Sequence, residues 1–592
     1  MTSKNVEIKV CLGTGGMAAG AEGVLEAFNR ELASAGVHAT VGNRCSAGKV
    51  GCRGLCAKDV LVDVSVGEDK QTYQFVTAEM VERIVKEHVV GGAPVDEWLV
   101  KEDYHNFHKK QVKVVLSDCG VVDPEDIDSY ITHDGYVALK KVFAEMSPEK
   151  VIDEINLSGL RGRGGAGFPT GRKWDSCRRV KADMKYMICN ADEGDPGAFM
   201  DRSIIEGNPH VVIEGMIIGA YAVGCSEGYV YIRAEYPLAV ERLDKALKDA
   251  RERNILGKNI LGTGFDFDIK IYQGAGAFVC GESTALMRSI EGKRGMPRPT
   301  PPNSVYMGLN GKPSVLNNVE TFANVPYIIR RGSDWFSHYG TDKSKGTKAF
   351  ALTGKIVNSG LIEIPMGTTL REIIYDIGGG IANGKQLKAV QTGGPSGGCI
   401  PAAYLDTSVD FESLAELGSI VGSGGMIVLD EDDCMVNIAK YFMEFTQEES
   451  CGKCVPCRIG TKRLLEIMER IISGKGRQGD IELLQDLGDK VVEASLCGLG
   501  KSAPNPILST IRYYRDEYEA HLNGKCPARQ CKAMLTYTVI QDTCIGCGAC
   551  KRACAAGAIT GEKKQPHIID QSLCIKCGAC FDTCKFKSIN KE

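Results

Sequence analysis

No apolar run in this chain is long enough to cross a bilayer, so direct membrane insertion is not expected. No basic segment with an apolar core opens the sequence, which argues against an export signal. Charge of one sign is missing too: 71 Lys and Arg stand against 75 Asp and Glu, a net charge of −4. That balance removes any bulk electrostatic case for nucleic acid as a partner. A chain without an export signal is expected in the cytoplasm, where the reducing environment keeps thiols free. Its 25 cysteines are therefore not read as a disulfide framework.

Cysteine in metal-type spacing and glycine in loops are what the chain has in excess. At 592 residues it should hold several domains. The 70 glycines gather in loops such as 162–167, 274–281 and 393–398, where a backbone can approach a phosphate or a ring closely. The stretch Glu449–Arg458 carries Cys451, Cys454 and Cys457 as C-x2-C-x2-C, and Cys497 follows after an expected pair of helices. Zinc sites draw ligands as C-x2-C pairs, whereas three thiols on one turn plus a distant fourth suit a [4Fe–4S] cube. The helices around it have apolar faces at Leu464, Met468, Ile471 and Ile472, then at Ile481, Leu484, Leu487 and Val491. Gly474 is the expected C-cap of the first, and Asn505-Pro506 the N-cap and first residue of a third.

The tail is an internal repeat. Cys544, Cys547, Cys550 and Cys554 recur in spacing as Cys574, Cys577, Cys580 and Cys584. This is the two-cluster ferredoxin run, in which the fourth cysteine of each set serves the other cluster. One cube is expected on Cys544, Cys547, Cys550 and Cys584, the other on Cys574, Cys577, Cys580 and Cys554. Between bundle and tail, His521, Cys526 and Cys531 offer three ligands for a structural zinc, with no fourth identifiable.

At the other end, residues 5–11 alternate like a strand and 20–35 like a helix. Cys11, Cys45, Cys52 and Cys56 resemble the ligand set of thioredoxin-like [2Fe–2S] domains. Such domains place a second cysteine five positions after the first, where this chain has Gly16. Cys45 is the expected replacement, unless the cluster is lost. Residues 92–110 have the composition of a linker.

From about 120 a new domain opens. Residues 162–167 match G-x-G-x-x-G, but the preceding Val151–Leu157 stretch reads as helix, so this is not a Rossmann turn. Three further segments, 189–199, 274–286 and 316–321, join glycines to carboxylates and amides that suit an isoalloxazine edge and a ribityl chain. Any one of them alone is ordinary turn chemistry.

In this order, and ahead of Glu449–Arg458 and Ser495–Gly500, the four segments resemble the flavin-bearing, nicotinamide-oxidising subunit of complex I over about residues 120–520. With the front and rear domains added, the chain is similar to the beta subunit of electron-bifurcating iron hydrogenases. The resemblance implies FMN held by Gly162, Arg163, Gly164 and Gly165 of the loop, by Lys173, Asn190, Asp192, Gly281 and Glu282, and by Asn317, Asn318 and Thr321. It implies Phe168 on the adenine and Glu193 or Asp195 near the nicotinamide. It also implies a β-grasp domain in the strand-rich stretch 350–430.

The expected fold is thus multidomain α/β. It comprises a thioredoxin-like domain (1–95), an FMN and NAD(P) domain (120–345), a β-grasp insert (346–432), a helical [4Fe–4S] bundle (433–525) and a two-cluster ferredoxin domain (535–592). A nicotinamide moves two electrons as hydride and a cube moves one; a flavin can do both. The expected function is an NAD(P)H diaphorase wired to three [4Fe–4S] clusters and a [2Fe–2S] cluster. Expected partners are an iron hydrogenase or other redox subunit, a small [2Fe–2S] subunit and ferredoxin. The alternatives are the diaphorase of a formate dehydrogenase or transhydrogenase, or an electron relay that no longer binds nucleotide. The family pattern has a second Glu where this chain has Ser283, and other residues at Thr300 and Asn303. An acidic residue on the ribose favours NAD over NADP. Ser283, with Arg288, Lys293, Arg294 and Arg298 close behind, therefore predicts that NADPH is tolerated.

Overall fold

The computed structural model describes residues 5–37 and 45–592, with only the backbone of Cys45 and Ser46. The chain divides into two compact units, one of residues 1–385 and 389–428, the other of 386–388 and 429–592.

The first unit opens with a four-stranded sheet of β1 (Val6–Cys11), β2 (Cys45–Val50), β3 (Val62–Val66) and β4 (Asp69–Tyr73), in the order β2-β1-β3-β4. The alternation of β1 buries Val6, Ile8 and Val10 beneath the helix Ala21–Ser34, which contributes Val24, Phe28 and Leu32. The expected linker is not irregular. It contains the helix Glu102–Lys109, anchored by fully buried Phe107, because one aromatic at the right face outweighs a polar composition. Gly51 lies so close to Gly207 that a side chain on it would overlap that residue's Cα. Thr14 donates to Glu206 from both its amide (2.9 Å) and its hydroxyl (2.5 Å), so this first sheet docks on the next layer.

That next layer is an all-parallel sheet of β5 (Tyr186–Ala191), β6 (Glu227–Arg233), β7 (Asp268–Gly274) and β8 (Ser314–Asn318), in the order β7-β6-β5-β8. Its inner strand β5, Tyr186–Ala191, is almost wholly buried, whereas the edge strand β7 is partly exposed. The helix Pro209–Val223 is almost wholly buried and apolar apart from His210 and Glu214. Asn208 caps it by accepting from Val211 N (3.2 Å), and left-handed Gly224 ends it. The chain runs outward from β5 to β6 and β7, then returns to the other side of β5 for β8. The topological switch point therefore lies between β5 and β8, where open α/β sheets bind ligands.

A third sheet, β9 (Thr347–Gly354), β10 (Gly360–Pro365), β11 (Leu387–Thr392), β12 (Gly398–Pro401) and β13 (Gly425–Asp430), has the order β10-β9-β13-β11-β12 with β13 parallel to β9. Counted within the sheet this is 2-1-5-3-4, the arrangement of a β-grasp.

In the second unit the helices Met435–Glu448, Val455–Arg470, Asp480–Ala494 and Asn505–Leu522 pack through Leu464, Met468, Ile471, Ile481, Leu484 and Val491, with Ile472 and Leu487 at the rim. Gly474 takes φ +73° as the expected stop. The last helix starts one residue early: Pro504 is its N-cap and Asn505 its first residue. The tail repeats itself in space. β14 (Tyr537–Val539) pairs with β17 (Ile589–Lys591), β15 (Ile559–Thr560) pairs with β16 (Ile568–Ile569), and short helices at Ala549–Ala553 and Ala579–Thr583 follow equivalent turns. Among the described residues no helix is long and apolar enough to cross a membrane.

Candidate functional site

The glycine loop follows the helix Pro148–Leu157 rather than a strand, as its sequence context implies. It is closed by Gly162 N to Phe168 O (2.9 Å) and Thr170 N to Leu160 O (2.9 Å). A Cβ on Gly164 would sit 3.0 Å from that of Asn318 at the end of β8, and Gly165, at φ +109°, lies against Gly422 in the loop before β13. Only glycine permits both approaches. Arg163 N donates to Thr321 Oγ1 (2.9 Å). Asn190, at the end of β5, donates to Gly281 O (3.0 Å), and Gly281 is packed beside Asp192. Asn317 accepts from Trp174 Nε1 (3.0 Å). The four segments thus meet at the switch point.

Lys173 supports the fit of a phosphorylated flavin there. Its ammonium donates to Leu316 O (2.8 Å), and burial lowers it to about 8 without an offsetting carboxylate. A phosphate would supply the missing negative charge. Phe168 is 47 % exposed beside it, with the ammonium 6.0 Å from the ring, an open face for stacking. Arg163 differs from the expectation. Its guanidinium is fully buried on the carbonyls of Arg161 (3.1 Å) and Lys345 (2.7 Å), so only its backbone faces the loop's interior.

The two expected acids part company. Both oxygens of Glu193 accept backbone amides, Asp201 N at 3.1 Å and Arg202 N at 3.2 Å, at the start of the helix Met200–Gly207. It is 4 % exposed and serves as a cap. Asp195 accepts from Ser423 Oγ (2.6 Å), and burial raises it to about 6. Beneath them Asp201, its carboxyl raised well above the usual carboxylate range by burial and by Glu193 and Glu320, accepts from Asn318 Nδ2, while Lys348 pairs with Glu320 (2.6 Å). Glu282 also caps a helix, Ser283–Ile290, accepting from Thr284 N (3.0 Å) and Ala285 N (2.9 Å). Ser283 Oγ donates to Glu282 (3.1 Å). Three of the four basic residues are engaged. Arg288 donates to Arg294 O, Lys293 pairs with Glu291, and Arg298 holds the carbonyls of Pro302 and Met307; Arg294 is exposed.

In the bundle, Cys451, Cys454 and Cys497 surround Cys457, whose thiol burial raises to about 11. Cys454 and Cys497 each stand at the start of a helix, Val455–Arg470 and Gly498–Ser502. In the tail, Cys550 and Cys580 are buried on the two short helices, with Cys554, Cys574 and Cys584 packed against the same core. Backbone amides point at sulfur: Ala558 N to Cys554 (3.3 Å), Ser588 N to Cys584 (3.3 Å) and Lys576 N to Cys574 (3.4 Å). Cys547 and Cys577 are exposed at the equivalent turns. Such inward thiols with N–H···S bonds fit two cubes.

The zinc set gains a fourth member absent from the sequence reading. Cys434, at the start of the helix Met435–Glu448, lies 3.4 Å from His521 Nε2 and 3.8 Å from Cys531 Sγ. With Cys526 the four ligand atoms fall within 4.8 Å of one another. His521 Nδ1 is bonded to Glu517 O (2.7 Å), which leaves Nε2 to the centre. Three sulfurs and one imidazole at these separations suit tetrahedral zinc. Cys434 lies 87 residues from His521 and shares no local spacing with it, so only folding could reveal it.

In the first domain, Cys52 and Cys56 have sulfurs 3.7 Å apart, and the free Cys11 thiol is hydrogen-bonded to Cys52 and to Gly51 O (3.8 Å). Half-buried Lys113 donates to Arg53 O (3.3 Å), with Cys119, Glu363 and Cys52 around it. Cys45 does not join them. The register sets it beside Val6, five residues along from the Cys11–Val50 pair, about 16 Å at strand spacing. Asp59 does: its carboxyl is hydrogen-bonded to Cys11.

Glycine- and amide-rich segments converging on a buried lysine at the switch point, and several thiol sets for clusters, define an iron–sulfur flavoprotein. Family descriptions match four parts of the chain. Residues 155–327 match the Nuo51 FMN-binding domain and 437–521 the iron–sulfur binding region of NADH-ubiquinone oxidoreductase-F. Residues 543–588 match a 4Fe-4S dicluster domain and 2–88 a thioredoxin-like [2Fe-2S] ferredoxin. The chain belongs to the family of FMN- and iron–sulfur-bearing NAD(P)H oxidoreductase subunits that includes the F-type subunits of NADH-quinone oxidoreductase. It is 59 % identical over 485 residues to the NADP-reducing hydrogenase subunit HndC of Solidesulfovibrio fructosivorans, covering 82 % of this chain and 99 % of that one. It is 44 % identical over 415 residues to the F 2 subunit of NADH-quinone oxidoreductase from Rhizobium meliloti (strain 1021), covering 70 % and 99 %. The crystal structure of an NAD+-reducing [NiFe]-hydrogenase in the H2-reduced state superposes with a TM-score of 0.63 at 30 % identity, covering 88 % of this chain and 84 % of that one.

Proposed function

We propose that this chain is the NAD(P)(H)-reactive subunit of a cytoplasmic, electron-bifurcating hydrogenase, exchanging electrons among nicotinamide, ferredoxin and a hydrogen-handling partner subunit. The observation that carries the diaphorase assignment is Lys173, a buried ammonium without a carboxylate partner at the switch point where four glycine- and amide-rich segments meet. Similarity to a hydrogenase subunit over 99 % of its length, and to a hydrogenase structure, favours that class of complex over formate dehydrogenase. A small [2Fe–2S] subunit is the natural further neighbour for such a chain.

When bound, FMN would exchange hydride with the nicotinamide and pass electrons singly to iron–sulfur centres. The residues do the placing. Gly162, Gly164 and Gly165 bring backbone against the cofactor, Lys173 takes its phosphate, and Asn190, Asp192, Gly281, Asn317, Asn318 and Thr321 line its flanks. Phe168 stacks on the adenine, and Asp195 rather than Glu193 accepts from the nicotinamide end. Cys451, Cys454, Cys457 and Cys497 hold one cube. The two tail sets hold two more, with Cys554 and Cys584 exchanged between them. Cys434, His521, Cys526 and Cys531 hold a structural zinc. The domain limits read from the sequence serve as its working boundaries, with the linker helix Glu102–Lys109 added to them.

The test is to add NADH and NADPH separately to the purified chain without oxygen and follow flavin absorbance. Bleaching by both is expected. Bleaching by NADH alone would remove the NADP part, and bleaching by neither would favour a relay that no longer binds nucleotide.

A further inference from the structure

A [2Fe–2S] core takes four protein ligands, two on each iron. The first domain brings three thiols together, Cys11, Cys52 and Cys56, and the fourth position has been closed by the backbone. Gly16 is buried, and a side chain on it would run into the carbonyl oxygen of Cys11, so no cysteine fits there. Cys45 is held about 16 Å along β2 by its register with β1.

What points into the gap is a carboxylate. Asp59 lies three residues after Cys56, at the end of the short turn Cys56–Lys58. The Leu61 amide donates to its carboxyl, the Cys11 thiol is hydrogen-bonded to it, and Cys52 lies beside it. Its Oδ2 is buried and makes no hydrogen bond. The same oxygen lies 3.0 Å from where a Cβ on Gly15 would stand, at the turn that lacks the expected cysteine. A buried carboxylate oxygen without a partner is costly, and a metal is one of the few groups that satisfies it. Oxygen is also an ordinary ligand type for iron.

We propose that Asp59 is the fourth ligand of the N-terminal [2Fe–2S] cluster, with Cys52 and Cys56 on one iron and Cys11 and Asp59 on the other. The 3.7 Å between the Cys52 and Cys56 sulfurs is close to the edge of a tetrahedron with metal–sulfur bonds of about 2.3 Å. This rests on the reading that the first domain carries a cluster, and the experiment separates the two.

The full chain is assayed for iron and, reduced, by EPR at a temperature where cubane signals have relaxed away and a [2Fe–2S] signal persists. Wild type should show that signal. Asp59→Ala should lose it, with about two irons fewer per chain and the cubane signals unchanged. Cys45→Ser should keep it. Asp59→Cys guards against a misfolded alanine variant: it should retain the two irons but change the g values and midpoint potential. A wild type without the signal would overturn the cluster reading itself. A signal that survives Asp59→Ala with unchanged g values, or that disappears in Cys45→Ser, would overturn Asp59 alone.

Discussion

Asp195 is the acid in the flavin cleft whose ionisation falls near working pH. Burial raises it to about 6 despite the hydroxyl of Ser423, so the carboxylate exists only above that value. If it accepts from the nicotinamide carboxamide, kcat/KM for NAD(P)H should be flat above pH 7 and fall as pH drops through about 6. Asp195→Asn should lower the plateau and abolish that limb; a variant that keeps it would assign the limb elsewhere. Ser283 carries the second residue-scale prediction. It donates to Glu282 and adds no charge, whereas Ser283→Glu would set a carboxylate beside a 2′-phosphate. The NADPH-to-NADH preference should fall by about 1–3 kcal/mol, roughly 5- to 150-fold in the ratio of kcat/KM. An unchanged ratio would move specificity to another residue. The Ser283 departure was legible in the sequence. The capping role of Glu193 was not, because nothing in its motif shows that the helix Met200–Gly207 begins where both oxygens can accept its amides.

At the scale of elements, the zinc set and the first interface carry the arguments. Cys434 joins the helix Met435–Glu448 to the segment holding His521, Cys526 and Cys531. Metal analysis should find one zinc per chain. Cys434→Ser should lose most of it at unchanged iron and make the segment after 521 more sensitive to protease, since a structural site's binding energy is folding energy. Zinc retained in full would exclude Cys434. At the interface, Gly51 leaves no room for a side chain against Gly207. Gly51→Val should cost about 1–3 kcal/mol through overpacking. It should also speed release of the first domain in limited proteolysis, an effect absent if the two layers do not dock as described.

For the whole molecule the metal count decides. Three cubes account for about twelve irons and the [2Fe–2S] cluster for about two more, so chemical analysis should approach fourteen per chain. A value near four would mean an empty ferredoxin tail. The tail was the most legible part of the chain, because its eight thiols are local in sequence and their spacing is itself the coordination geometry. The β-grasp insert was legible only through resemblance. Its strand order depends on β13 pairing with β9 some seventy residues away, which no local pattern encodes.

The sequence by itself determined what depends on neighbours along the chain: the cluster cysteines on single turns, the helix faces, the glycine loop and the absence of a membrane-spanning run. The tertiary structure decided what depends on distant segments meeting. It set the flavin cleft at the switch between β5 and β8, and it brought Cys434 to His521. It also removed Cys45 from the first cluster and turned Asp59 toward it. The physical reason is range. A turn constrains atoms a few residues apart, whereas a ligand shell is completed by whichever side chain packing carries to it.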